Sequence, residues 1–481
     1  MIKKTIKNIL IVITFFLSFT AFFSAKWYVD IYGNIGFRSI LFTLLSPMQG
    51  TAGEIVYDWL LKGLLPSVIC TPLLTAFYFS KIKIKKVLKK IICLIVCLSL
   101  WFYGIAVTGL PEFLIGALSK TDIYDTHYQN PSNTKITFPK EKQNLVYILL
   151  ESMETTYLSQ NEGGGLDENI IPELYNLAKA NTNFSHNQDV GGWEFIPNTS
   201  WTSAAIVAQT SGVPYTPPIT KTIPKSDSNF LPSITTLNDI LHQNGYKQTV
   251  MFGSVASYGS RDTYFLQHSV DKILDYNTAK KDKIIPNDYH VWWGMEDKKL
   301  FEYAKKELLS LANEEQPFCF TLLTADTHHI SGYICDECEN KYDSKYKNVL
   351  ACSSKQVSNF VDWLKSQDFY NNTTVIVIGD HLSMDAQFFR ESMEKDYTRR
   401  VYNCFINSKT EAKNPKNRIF TPMDILPTAL ASIGCEIEGE RLGLGTNLFS
   451  DKQTLAEQIT LERFKKEMTK CSDYYNKSFL N

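Results

Sequence analysis

NLVYILLE, residues 144–151, is the stretch on which the fold turns. A strand with one wet face alternates polar and apolar residues. A continuous apolar run of this length instead fits a strand covered on both faces, as in a parallel sheet. Runs of the same kind follow: KQTVMFG (247–253), FCFTLLTA (318–325), TTVIVIG (373–379) and VYNCFIN (401–407). Between them lie segments of helical period. IPELYNLAKAN (171–181) carries Pro in its first turn, and SITTLNDILHQNG (233–245) has a Ser/Thr start and a Gly stop. KKLFEYAKKELLSLAN (298–313) and SSKQVSNFVDWLKSQ (353–367) are amphipathic. The alternation predicts an α/β domain with a mostly parallel central sheet and helices on both faces.

Functional side chains of such folds gather past the carboxyl ends of strands. Here the first run leads into Glu151, the third into Asp326, Thr327, His328 and His329, and the fourth into Asp380 and His381. Each alone is weak, because a Glu at a strand end commonly caps a helix and a lone His commonly sits in a core. Together they form a mixed oxygen and nitrogen donor set suited to one divalent metal, Mn²⁺ or Zn²⁺. GGWEFIPNTSWTSAAIVAQTSGVPY (191–215) passes from a Gly-rich loop to helix formers at 200–209, which places hydroxyls at a helix N-terminus, where anions are favoured. The residues by themselves leave Thr199, Ser200 and Thr202 open as nucleophile, with plain N-capping as the alternative.

Upstream, the chain changes character. Stretches 9–27, 55–79 and 87–110 each have about the 20 apolar residues that a membrane crossing needs. Asp58 and Lys62 interrupt the second, and 37–45 is too short to span. Two further spans after the first favour an uncleaved anchor over a signal peptide. Lys81, Lys83, Lys85, Lys86, Lys89 and Lys90 crowd the connection between spans two and three. The positive-inside rule then sets that loop and the N-terminus in the cytoplasm and everything after about residue 110 outside it. The expected organisation is an anchor at 1–110, a juxtamembrane linker at 111–143, a catalytic domain at 144–450 and a C-terminal extension at 451–481.

Over 481 residues, 49 Lys and Arg against 50 Asp and Glu leave a net charge of -1, without the basic surplus of a nucleic-acid binder. Cys70, Cys93 and Cys97 lie in the spans and are expected to be inert apolar residues. Cys335 and Cys338 form a C-x-x-C with Cys352 nearby. Three thiols are an incomplete four-ligand zinc set, so a loop-stabilising disulfide is expected.

NLVYILLESMETTY, WTSAAIVAQTSGVP, TADTHH and VIGDH, in this order, resemble the alkaline phosphatase–sulfatase superfamily. Within it they are similar to the membrane-anchored phosphoglycerol transferase and lipoteichoic acid synthase branch, above all to transferases acting on periplasmic glucans. RLGLGTNLFSD (441–451) and MDILPT (423–428) add to the likeness. The resemblance implies metal ligands Glu151, Thr202, Asp380 and His381, with Thr202 as nucleophile. It implies Arg261 and His329 as phosphate-binding residues, with His328 as the rival to His329. The histidine and tryptophan that lipoteichoic acid synthases carry before that arginine fall at Phe252 and Gly259, which speaks against a polymerase. The implied reaction is transfer of phosphoglycerol from phosphatidylglycerol to a glycan or glycerol-phosphate acceptor through a covalent phospho-threonine, at the outer face of a bacterial cytoplasmic membrane. Phosphoethanolamine transfer, a lipoteichoic-type polymerase and a catalytically silent binding module are the alternatives. A formylglycine sulfatase is disfavoured, because no Cys lies between Cys97 and Cys319 and no Ser there sits in an S-x-P-x-R setting.

Overall fold

The apolar run at 144–150 forms a strand with every residue buried. At about 1.5–3 kcal/mol for each fully buried Val, Leu or Ile side chain, such a run favours a two-sided core position. The computed structural model describes residues 2–33, 36–45, 53–216 and 229–480; the expected ranges 1–110, 144–450 and 451–481 each include positions outside these. The chain divides into two units, one of Met1–Ile40, Thr51–Ile115 and Met384–Gln387, the other of Leu41–Gly50, Gly116–Ser383 and Phe388–Asn481.

In the second unit seven strands form one sheet: β1 (Asn144–Leu150), β2 (Gly192–Glu194), β3 (Lys247–Phe252), β4 (Lys272–Leu274), β5 (Phe318–Leu323), β6 (Thr373–Gly379) and β7 (Arg400–Ile406). Their order is β2-β7-β6-β1-β5-β3-β4. The pairs among β6, β1, β5, β3 and β4 are parallel. Strand β7, expected from its apolar run, runs antiparallel to β6, and β2 antiparallel to β7. The helices that place the site are α1 (Pro172–Ala180), α2 (Thr202–Ser211), α3 (Leu237–Gln243), α4 (Asp297–Ala312) and α5 (Lys345–Lys365). Val146, Ile148 and Leu150 of β1 share a core with α1, α4 and α5. Tyr147, of opposite parity, donates its hydroxyl to Gln209 of α2 at 2.6 Å, so helices cover both faces of β1.

The stretch expected as a linker is instead built into this unit from Gly116 on. Ile136 and Thr137 pair with Ile437 and Glu436. The expected C-terminal extension is also part of it: Lys120 bridges to Cys471, and Tyr124 packs on Tyr475 and Phe479.

The first unit holds the apolar helices. Among the described residues, Ile2–Tyr32, Ile55–Phe79 and Lys86–Val107 are long and apolar enough to cross a membrane. The third stops short of residue 110, where Gly109 takes a φ of +69° and a separate helix, Leu110–Leu118, begins. Leu94, Leu98 and Phe102 are exposed, a surface suited to lipid. Asp58 and Lys62 pair with each other at 2.8 Å, and Trp27 donates to Asp58 at 2.8 Å, which answers how two charges sit in an apolar helix. Residues 37–45 form a nine-residue helix. Cys93 and Cys97 pack with Phe15.

Candidate active site and metal centre

Strands β6, β1 and β5 are parallel neighbours, so their carboxyl ends open on one edge of the sheet. The chain leaves β1 abruptly, with Ser152 in the left-handed region (φ +55°) that side chains adopt at a cost of about 1–2 kcal/mol. The site's own polar groups hold it there. Ser152 N donates to Asp380 Oδ1 at 2.8 Å and Ser152 Oγ to Glu151 Oε1 at 2.9 Å. His381 N also donates to Asp380 Oδ1, at 2.7 Å.

Facing these carboxylates is the start of α2. Thr202 is its first residue, and Thr202 Oγ1 lies 3.3 Å from Glu151 Oε2 and 3.4 Å from His381 Nε2. The two neighbouring hydroxyls with assigned partners point elsewhere: Thr199 donates to Ile196 O at 2.6 Å and Ser203 to Gly259 O at 2.9 Å. Helix α2 packs closely because its interior is small (Ala204, Ala205, Ala208), and Gln209 locks it to the sheet. Gln209 Nε2 donates to Gly379 O and Asp380 O, both at 3.1 Å. The far end stops at Gly212 (φ +69°), where a Cβ would stand 2.9 Å from Leu442 O. Gly443 in turn would drive a Cβ to 2.6 Å from Gly212 O. The L-G-L-G motif therefore serves the backbone packing of this helix.

Glu151, Asp380 and His381 are 2%, 0% and 1% exposed and offer ligand atoms within 4.8 Å of one another. Asp380 Oδ2 is buried without a hydrogen-bond partner, 3.3 Å from His381 Nε2. The His381 ring is oriented by Nδ1, which donates to Leu382 O at 2.8 Å and leaves Nε2 to the cluster. Burial, and then the charge of Glu151, push the Asp380 carboxyl up to about 7. Burial alone would lower His381, but Asp380 and Glu151 outweigh it and hold the imidazole above its ordinary value. Two buried carboxylates, an orphaned oxygen and an imidazole drawn towards the charged state call for positive charge, and the residues present fit a divalent cation. Proton and cation compete for Asp380, so the sign of the pH dependence follows. Above pH 7 the carboxylate is free; below it, binding must displace a proton. Calorimetric titration of the metal-stripped protein with Mn²⁺ or Zn²⁺ is expected to show affinity falling about tenfold per pH unit below about pH 7. Equal affinity at pH 8 and pH 6 would contradict this.

A cavity beside Thr202 is lined by Glu151, Ser254, Tyr258, Arg261, Trp293 and His328, among others. Arg261 is held in place by its own loop: Nη2 donates to Ser254 Oγ (2.9 Å) and Val255 O (2.7 Å), and Nε to Tyr258 O (2.9 Å). Burial lowers its pKa to about 10, which leaves it charged at neutral pH. Of the two adjacent histidines, His328 lines the cavity and His329 is not among its lining residues. Burial keeps His328 below the usual imidazole range, and its Nδ1 faces His329 O at 2.8 Å, which leaves Nε2 able to accept a proton.

Asp326, grouped above with the ligand set, lies outside it. It pairs with Asp297, whose N–H donates to Asp326 Oδ1 at 3.2 Å, while Asp297 accepts from Ala325 N at 2.7 Å. Burial, reinforced for Asp326 by the charge of Asp297, raises both carboxyls, Asp297 to about 7. Trp293 was not singled out from the sequence. It packs on His328 (ring centroids 4.5 Å apart), and its buried indole N–H has no partner among the described residues. The aromatic cluster HVWWG (290–294) was the available signal.

The sequence model of the Sulfatase family matches residues 143–435. Phosphoglycerol transferase I of Salmonella arizonae is 30% identical over 282 residues, covering 57% of this chain and 35% of the relative. Phosphoglycerol transferase I of Escherichia coli is 31% identical over 279 residues, covering 57% and 35%. The match thus spans about a third of the length of these relatives. Among solved structures, a protein of the alkaline phosphatase superfamily from Vibrio parahaemolyticus has a TM-score of 0.52 at 21% identity, covering 72% of this chain and 80% of that one. The lipoteichoic acid synthase of Listeria monocytogenes has a TM-score of 0.51 at 18% identity, covering 66% and 79%. These two likenesses show the fold: an alkaline phosphatase-like domain with a mostly parallel sheet flanked by helices.

Proposed function

The chain belongs to the sulfatase family, and on that premise we propose that it is a membrane-anchored phosphotransferase that moves phosphoglycerol from phosphatidylglycerol to a glycan or glycerol-phosphate acceptor. One observation carries the reading: a threonine hydroxyl at a helix start stands 3.3 Å from Glu151 and 3.4 Å from His381, beside a cavity holding Arg261 and His328. Glu151, Asp380, His381 and Thr202 Oγ1 would hold the cation. Bound there, Mn²⁺ or Zn²⁺ would supply the positive charge that favours a deprotonated hydroxyl and offsets charge on the phosphoryl oxygens.

The chain's own residues do the rest. Thr202 Oγ1 gives up its proton and attacks phosphorus; the bond from phosphorus to the diacylglycerol oxygen breaks, and that oxygen takes a proton as diacylglycerol departs. Arg261, fixed by three hydrogen bonds and still charged, holds the phosphoryl oxygens without having to reorganise. His328, rather than His329, is the histidine at the cavity wall in this reading, with Nε2 as the proton acceptor. An acceptor hydroxyl then attacks the same phosphorus, the bond to Thr202 Oγ1 breaks, and the threonine regains its proton. The lysines at 81–90 orient the anchor so that the domain lies outside the cytoplasm, and anchoring turns donor capture into a search along the membrane.

Mass spectrometry of protein quenched during turnover tests the reading. The peptide containing Thr202 is expected to gain the mass of phosphoglycerol. A phosphoethanolamine mass at Thr202 would replace the donor assignment, and an unmodified Thr202 during active turnover would remove the covalent route.

A further inference from the structure

Away from the strand ends, the loop after β5 and helix α5 bring three thiols together. The expected disulfide is not formed: Cys335, Cys338 and Cys352 are all free. Cys335 Sγ lies 3.6 Å from Cys338 Sγ and 3.8 Å from Cys352 Sγ, where a disulfide needs about 2.05 Å. A tetrahedral site with metal–sulfur bonds of about 2.3 Å places its ligands about 3.8 Å apart. The sulfurs already have the edge lengths of such a site.

Three other features converge on it. Cys335 and Cys338 form a tight turn, with Cys338 N donating to Cys335 O at 3.2 Å. The backbone N–H groups of Glu337 and Cys338 are directed at Cys335 Sγ, an arrangement that favours a thiolate. Gln356 stands one turn after Cys352 on α5 and is 6% exposed. Its amide nitrogen is 3.3 Å from Cys352 Sγ and 3.6 Å from Cys335 Sγ, and its Oε1 is buried with no partner. Rotating the amide by half a turn exchanges the two atoms and turns an oxygen towards the sulfurs.

We propose that Cys335, Cys338 and Cys352, with Gln356 Oε1 as fourth ligand, bind one zinc-type cation distinct from the one at Glu151, Asp380 and His381. Four protein ligands close the site to substrate, so its role is structural. The loop that carries the C-x-x-C is tied to the histidine motif, with Gly332 N donating to His328 O at 3.1 Å and Tyr333 N to Asp326 O at 2.8 Å. The cation clips that loop to α5 and so steadies His328. The proposal does not depend on the transfer reaction.

The test uses the full chain purified in detergent without chelator. A D380A/H381A variant is expected to retain one zinc per chain by elemental mass spectrometry. After cobalt exchange it should show sulfur-to-cobalt charge-transfer absorption, and adding Cys338→Ser and Cys352→Ser should remove both signals. Zinc-free D380A/H381A protein would overturn the proposal even if the serine variants fail to fold. So would peptide mapping of unreduced protein that finds two of the three cysteines joined.

Discussion

A Thr202→Ala variant is expected to lose at least about 10³-fold of diacylglycerol release from labelled phosphatidylglycerol, because the hydroxyl removed is the attacking atom of the proposed reaction. The loss should be chemical rather than structural. Thr202 opens α2, but the helix has no side-chain cap there, since Trp201 occupies the N-cap without a capping hydrogen bond. Thr202 is only partly buried, and the brace that holds the helix is Gln209 at its other end. The apparent melting temperature is therefore expected to stay within a degree or two of the unaltered protein, the usual range for changes that touch no core contact. Thr202→Ser keeps an oxygen at the same position and should retain measurable release. Full release from the alanine variant, at unchanged fold, would remove Thr202 from the reaction and return the choice to Ser200 or to water.

The second large effect is expected from a pair outside the chemistry. Glu154 is fully buried, and its carboxylate accepts from Arg399 Nε (2.9 Å), Ser383 N (2.7 Å) and Thr156 Oγ1 (2.6 Å), with Arg399 Nη2 on its other oxygen. Arg399 also donates to Ser383 O at 2.7 Å and lies over the ring of Phe389. The pair thus straps the loop after Glu151 to the loop after His381. Arg399→Met strands a buried carboxylate and should cost about 3–5 kcal/mol. Denaturation of the purified protein should show the loss as a lower midpoint. Metal affinity should fall with it, because Glu151 and Asp380 are no longer held in register. Adding Glu154→Gln removes the stranded charge and is expected to restore part of the stability but not the register. A stability change below about 1 kcal/mol in the single variant would show that the strap carries little.

The contrast between what was legible and what was not follows the range of the interactions. The central strands read clearly because burial on both faces demands an unbroken apolar run, and β1, β3, β5 and β6 all show one. Strand β7 also shows one, yet its direction is set by the chain connection, so its antiparallel pairing did not show. Strand β2 was read as a Gly-rich loop: only three residues pair, and Gly192 is there because a Cβ would meet Val401 O at 1.9 Å. Glu151, Asp380 and His381 stood out by ending strands. Glu154 and Arg399 did not, because their meaning depends on a partner 245 residues away.

The cysteines show the same division. Spacing identified Cys335 and Cys338 as a unit and Cys352 as a neighbour, and compartment logic suggested oxidation. The positions of the sulfurs show three thiols and a glutamine amide facing one point.

By itself, the sequence determined the apolar segments, the central strands, the hydroxyls at the start of α2 and the acids at strand ends, because each rests on local composition, periodicity or position along one element. The tertiary structure alone decided which hydroxyl meets Glu151 and His381, which of two adjacent histidines lines the cavity, and which distant residues strap the site. Those outcomes depend on ångström distances between segments hundreds of residues apart, and no local pattern of residues encodes a distance.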